Sequence, residues 1–326
     1  MSSIIRQRYP LLADELNLVF AKLKGKEGFW GIDLVAESQE IKIRVIVSGN
    51  DNSKTEENKE NLAKLLDSQK YIVWKLMPMI HFNKTVNFPK ENPNQSKVFS
   101  VVQPCINIGD GHNRGTLGLI CIDVTTNKVS LLTAHHVVSN GQFVIQPSDK
   151  SNIVFAIARF KRYDPNGDAA LCELIVPQLN QIFAKRQIVN NIIAFKNELF
   201  ETNIIIQDVR YPVLGEKVTK IGLVTGKTDA IVRGIGIYKH SQDHISEGQI
   251  VWVEGCWLEP EDIQNKNDLE ISFQGDSGAV WFDSSQKFGI GLQIAGDFND
   301  SSPTQEFAIA QHLPDIMENL QIKPFI

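Results

Sequence analysis

The chain has 326 residues, 42% hydrophobic and 22% charged, which suits a globular protein with one large unit and a smaller one. Its formal net charge of -5 argues against nucleic acid or an anionic membrane as the principal partner, because both select basic surfaces. No export signal is expected from "MSSIIRQRYPLLADEL", which lacks an apolar core and a small-residue cleavage site, and no run approaches the roughly 20 apolar residues of a membrane helix. The four cysteines (Cys105, Cys121, Cys172, Cys256) are scattered through apolar contexts and read as reduced, buried residues of a cytoplasmic protein.

The first eighty or so residues read as a small α/β unit. "YPLLADELNLVFAKLK" sets Leu11, Leu12, Leu16, Val19, Phe20 and Leu23 at helical spacing. "GFWGIDLVAES" and "IKIRVIVSG" alternate as two strands, "TEENKENLAKLLDS" is a second helix with acidic first turns, and "KYIVWKLMPMI" is a third strand. The expected order is α-β-β-α-β over residues 1–82, with nothing catalytic in it. Residues 83–97, "NKTVNFPKENPNQSK", have the Asn, Pro and Lys content of a linker. Beyond them come short β-branched runs at close intervals, among them "TLGLICIDV", "KVSLLTA", "AALCELIV", "AIVRGIGIY" and "FGIGLQIAG". With no long helix between them they predict an antiparallel barrel or sandwich, closed by a short helix in "LPDIMENLQI" with Pro near its start.

Three stretches carry chemistry-bearing residues. In "FQGDSGAVWF", Ser277 lies in a tight turn flanked by glycines. Gly275 can adopt angles that let its N–H converge with that of Ser277, as an oxyanion hole requires. Alone, the motif is equally a polar hairpin turn. In "YDPNGDAALCEL", Asp168 enters an apolar strand, where a carboxylate needs a partner such as a histidine N–H; a simple turn aspartate would look the same. "LLTAHHVV" supplies His135 and His136, neighbours that point to opposite faces of an extended chain.

The order His136, Asp168, Ser277 in an all-β context resembles the chymotrypsin-like (trypsin-fold) serine proteases. "LLTAHHVV" resembles their T-A-x-H motif, "GDAAL" their D-x-A-L motif and "GDSGAV" their G-D-S-G motif. "GEKVTKIGLVTGKTDAIV" and "GIGLQIAGD" are similar to further segments of intracellular and bacterial members, and the likeness covers about residues 98–326. The resemblance implies a double β-barrel. It implies a Ser277 nucleophile, His136 as base, Asp168 as orienting carboxylate, and the Gly275 and Ser277 amides as oxyanion hole. His135 falls at the x position. Val137 and Phe273 stand where secreted members carry cysteines. Asp276, which in zymogen-type members accepts a new N-terminus, is expected to have another partner here.

The resemblance further implies Ile271 at the base of the substrate pocket, with Ser272, Gln274, Ala295 and Gly296 around it. An apolar Ile271 disfavours Lys or Arg before the cut; adjacent Glu270 would restore that preference if the loop shifted by one residue. The expected partner is a protein or peptide substrate. A regulatory protein or ligand is expected at the N-terminal unit; such fusions resemble defence proteases, by analogy of fold. No cofactor and no metal are expected. "KHSQDH" brings His240, Asp243 and His244 together without a separate third ligand group, the Gly-rich "IGDGHNRGTLG" has no helix after it to bind phosphate, and His81 and His312 read as structural. A trypsin fold kept as a non-catalytic scaffold is the alternative.

Overall fold

The structure is a computed structural model that describes residues 3–66, 72–78, 99, 101–139, 143–148, 155–174, 194–200, 202–241, 250–261, 270–283, 285, 287–296 and 306–326. The expected linker, His81, Asp243 and His244 lie outside these residues.

The N-terminal unit opens with two helices, α1 (Ser3–Arg8) and α2 (Pro10–Leu23), because Pro10 lacks an N–H and restarts the helix at its first turn. α2 buries Ala13, Leu16, Val19 and Leu23. Leu11, expected in that stripe, is exposed: it sits five residues before Leu16, about 140° round the helix. β1 (Phe29–Glu37) and β2 (Glu40–Gly49) form a hairpin whose two turn residues, Ser38 and Gln39, both take positive φ (50° and 72°). That turn geometry matches the twist of paired strands. α3 (Asn52–Ala63) begins earlier than the charge pattern suggests, because Asp51 accepts a 2.7 Å hydrogen bond from the Lys54 N–H and caps it. β3 (Ile72–Pro78) then runs parallel to β2.

Among the described residues, the remainder is built mainly of strands. β4 (Val101–Val102), β5 (Asn107–Gly109), β6 (Arg114–Thr116), β7 (Leu119–Asp123), β8 (Lys128–Ala134), β9 (Phe143–Gln146), β10 (Phe155–Tyr163), β11 (Ala169–Leu174) and β12 (Ala194–Phe195) come first. β13 (Asp208–Val209), β14 (Lys217–Gly222), β15 (Gly226–Ser241), β16 (Ile250–Glu259), β17 (Val280–Asp283), β18 (Phe288–Gly296) and β19 (Ala308–His312) follow, then the C-terminal helix α4 (Leu313–Asn319) and β20 (Ile322–Pro324). One sheet of eight strands has the order β20-β7-β8-β11-β10-β9-β5-β6. In the other, β14-β17-β18-β19-β16-β15 closes into a ring of six, because β15 pairs back onto β14. The mostly-β architecture with a C-terminal helix agrees with the sequence expectation.

β15 is 16 residues long and does two jobs. Gly226–Ile231 pair with β14 and close the ring, while Ile235–Tyr238 pair antiparallel with Leu34–Gly31 of β1. The N-terminal strands therefore extend the second sheet, in the order β16-β15-β1-β2-β3. The buried apolar groups are equally continuous. One cluster runs from Leu16 and Val19 through Ile32 and Val45 to Ile235, Cys256 and Trp281.

Shared strand and shared core hold the unit by far more than its covalent connection. An engineered protease site placed between residues 83 and 97 and cut to completion should leave the two pieces co-eluting on gel filtration. Separation in native buffer would mean that the β1–β15 pairing is too weak to join them.

Candidate active site

The turn that carries Ser277 is shaped by its glycines. Gly275 and Gly278 have φ of 112° and 91°, values that side-chain-bearing residues avoid. A Cβ on Gly278 would also lie 2.3 Å from both the Thr116 carbonyl oxygen and Thr133 Oγ1, so this turn packs directly on the T-A-H-H segment. The Gly278 N–H donates to the Gln293 carbonyl (2.8 Å), and the Asp276 N–H to that of Phe273 (2.9 Å). Among the described residues, the Gly275 and Ser277 N–H groups have no acceptor, which leaves both available to a ligand oxygen.

On the facing side, β8 ends at Ala134 and the chain tightens into a 3-10 turn, His135–Val137. The two histidines separate there. His135 stacks on Tyr163 and Phe160, with ring centroids 4.6 and 5.4 Å away, and is buried. His136 turns to Asp168: its Nδ1 donates to Oδ2 and its backbone N–H donates to Oδ1 at 3.1 Å. Asp168 has no exposed surface and starts β11, whose pairing with β8 sets Ala169 opposite Ala134. Its own N–H donates to Gln311 Oε1 at 2.9 Å and its carbonyl accepts from the His135 N–H at 2.8 Å. Burial alone would raise the Asp168 carboxyl, but the two histidines beside it hold it far below the usual carboxylate range. Burial likewise opposes the charged form of His136, yet the charge and hydrogen bond of Asp168 raise its imidazole above the ordinary value.

Sequence reasoning missed three partners. His240, at the end of β15, places Nε2 3.1 Å from Asp168 Oδ2, and one ring nitrogen of each histidine and one Asp168 carboxylate oxygen all lie within 4.8 Å of one another. Its signal was the pattern "GIGIYKH", which keeps His240 on the same strand face as Tyr238. Lys220 forms an ion pair with Asp276 at 2.9 Å, with no exposed surface on either side chain. Asp276 also accepts from Thr225 Oγ1 (2.6 Å) and from the N–H groups of Val224 (2.8 Å) and Phe273 (3.1 Å). Thr116, wholly buried, donates through Oγ1 to the Gly275 carbonyl (2.9 Å) and through its N–H to the Ser277 carbonyl (2.8 Å). The Ser277 turn is thus held from behind by a buried ion pair and from the other sheet by a threonine.

Of the expected pocket residues, Ser272, Ala295 and Gly296 come together. A Cβ on Gly296 would lie 2.3 Å from Ser272 Oγ, and Gln293 Nε2 donates to both Ser272 Oγ (2.8 Å) and the Ala295 carbonyl (2.5 Å). Ile271 is buried in the barrel core, its N–H and that of Ser272 received by Glu306 Oε1 at 3.0 and 3.3 Å, and Gln274 is exposed. A cavity of about 230 Å³ opens elsewhere, between Phe99, Cys105, Phe200, Thr202, Leu223 and Lys227; none of these five pocket residues borders it. The cavity also lies apart from Ser277 and His136, neither of which lines it.

No protein-family model matches the sequence, and no curated protein matches it significantly. Similar solved structures include a glutamic-acid-specific serine protease described as using a histidine triad in substrate binding, with 15% identity and a TM-score of 0.49, over 69% of this chain and 100% of that one. A Nocardiopsis protease matches at 15% identity and a TM-score of 0.48, over 69% and 100%. A Cellulomonas bogoriensis chymotrypsin matches at 14% and 0.45, over 69% and 98%. At these identities and scores the matches assign no activity. The two sheets, the C-terminal helix and the three ordered motifs give residues 99–326 a trypsin-like fold.

The buried pair behind the turn makes a stability test. Lys220→Met should cost about 3–5 kcal/mol, because it strands the Asp276 charge. Chemical denaturation should show much of that loss recovered in Lys220→Met/Asp276→Asn; two additive losses would contradict a coupled pair.

Proposed function

We propose that the chain is a serine endopeptidase that cleaves proteins through an acyl-enzyme. The observation that carries this reading is the hydrogen bond between the His136 imidazole and the buried Asp168 carboxylate, at the end of the strand against which Gly278 of the Ser277 turn packs. Ser277 Oγ attacks the scissile carbonyl carbon as His136 Nε2 takes its proton. The C–N bond then breaks and the proton passes to the leaving amine. Water repeats the sequence on the acyl-serine. Asp168 keeps the proton on Nδ1, so that Nε2 is the basic nitrogen, and stabilises the imidazolium as it forms. The Gly275 and Ser277 N–H groups receive the developing oxyanion. Ser272, Gln274, Ala295 and Gly296 form the substrate-side wall in this proposal, with the core side chain of Ile271 behind it and an uncharged side chain preferred before the cut.

The four cysteines are free and buried, and burial pushes the Cys105 thiol up to about 12 and the others higher still. None is a competing nucleophile. Free cysteines fit a cytoplasmic setting, which is part of the proposal, as is control by the N-terminal unit.

A fluorophosphonate probe should label the wild type at Ser277. Ser277→Ala should take no label, and His136→Ala should lose on the order of a thousandfold in labelling rate. His135→Ala should keep most of it, since its ring faces Tyr163 and Phe160. A wild type that resists the probe would return the chain to the scaffold reading.

The pH profile follows from the raised His136 imidazole. The base must be neutral, so kcat/KM should be full above its pKa and fall as pH drops through it. The acid limb is therefore expected above the ordinary histidine value of about 6.5. Asp168→Asn should move it down. An acid limb below that value in the wild type would contradict the assigned pair.

A further inference from the structure

We infer that the N-terminal unit positions the triad carboxylate through strand β15, with His240 as the positioning residue at its end. The inference rests on the reading of Asp168 as that carboxylate.

Side chains alternate along a strand, so one face of β15 presents residues 234, 236, 238 and 240 in succession: Gly, Gly, Tyr, His. The two glycines form a slot for the N-terminal unit. A Cβ on Gly234 would lie 2.0 Å from Asp33 Oδ2, and one on Gly236 would lie 2.4 Å from Asp33 Cβ. Asp33 fills the slot without exposed surface, gripped by Arg44 of β2, whose Nε and Nη2 donate to its two oxygens at 2.9 and 2.6 Å. The third donor to this carboxylate is the Tyr238 hydroxyl, at 2.8 Å. Lys75 of β3 extends the grip to the barrel, donating to Glu259 Oε1 at 2.5 Å beside the Trp257 N–H at 2.8 Å. Strands from the N-terminal unit thus fix the backbone of β15 up to Tyr238.

Two residues further, His240 reaches Asp168. Its Nε2–H donates to Oδ2, the oxygen that also accepts from His136 Nδ1, while Oδ1 accepts the His136 N–H. A carboxylate bonded on three sides cannot rotate, and the second imidazole shares the charge that Asp168 offers to His136. The titratable groups around it come from separate elements: His136 from the 3-10 turn, His240 from β15, and Asp164 behind Gln311, whose Nε2 donates to Asp164 Oδ2 at 2.6 Å. Pairing of β1 with β15 is thereby tied to the geometry of the reacting histidine.

The test is the titration of the His136 ring, followed by NMR on histidine-labelled full-length protein, with kcat and KM measured alongside. His240→Ala removes one of the two described side-chain donors to Asp168 Oδ2, so that more of its charge faces His136. The His136 titration should move up by about half a unit, and kcat should fall about tenfold with little change in KM. His240→Gln, which restores an N–H donor, should recover most of both. Tyr238→Phe removes only the hydroxyl that joins β15 to Asp33 and should shift the titration the same way by less. Thermal melts check that each variant is folded; should His240→Ala not fold, His240→Gln and Tyr238→Phe carry the test. Identical His136 titrations in all folded variants overturn the inference. A shift with His240→Ala but none with Tyr238→Phe overturns the link to the N-terminal unit. Titration needs no turnover, so a wild type inert to fluorophosphonate would remove the peptidase reading without deciding this one.

Discussion

An ionised carboxylate with no exposed surface, Asp168, is the point at which the molecule's parts meet. Water supplies none of its stabilisation, so every lone pair must be met by protein, and the described donors arrive on two separate elements. The 3-10 turn gives His136, β15 gives His240, and Gln311 of β19 accepts its N–H. Gln311 also donates to Asp164, which in turn accepts from Asn319 of the C-terminal helix at 3.1 Å. Both sheets and the last helix are therefore registered on one residue. A carboxylate left unmet there would be neutralised or expelled, and the imidazole beside it would lose its preferred tautomer.

The Ser277 turn obeys a parallel constraint. Glycines at 275 and 278 give it shape but no rigidity, and the Gly275 and Ser277 N–H groups have no acceptor among the described residues. Rigidity comes from behind, through Lys220 and Asp276, and from the opposite sheet, through Thr116. Because Lys220 lies in β14 of the same chain, the turn is held without any newly cut terminus. This answers the question the sequence raised about the partner of Asp276. Preorganisation of this kind is what an oxyanion site needs, since donors that must first be ordered stabilise little.

The sequence was most legible where function had compressed chemistry into short motifs. His136, Asp168 and Ser277 could be read in order, and the long β-branched runs and closing helix lie where alternation and Pro314 placed them. Strands such as β5, β6 and β13 escaped because two or three residues show no period. Lys220, Thr116 and His240 escaped for another reason: each is an ordinary polar residue on a strand whose partner lies up to 159 positions away. The pairing of β1 with β15 spans about two hundred residues and leaves no local trace. One clue was available. Asp33 and Arg44 interrupt two neighbouring apolar runs, and on a two-residue hairpin they fall directly opposite each other.

The double use of β15 has a consequence for the edge of the second sheet. The half of β15 beyond the ring would present bare N–H and C=O groups, glycines at 234 and 236, and no charge between Arg233 and Lys239. An edge of that kind invites the strands of other molecules. In the folded chain β1 occupies it, the glycine slot is filled by Asp33, and the new outer edges are carried away by β2 and β3. The N-terminal strands therefore cover the glycine-bearing edge of β15, and the edge of the sheet passes to β3.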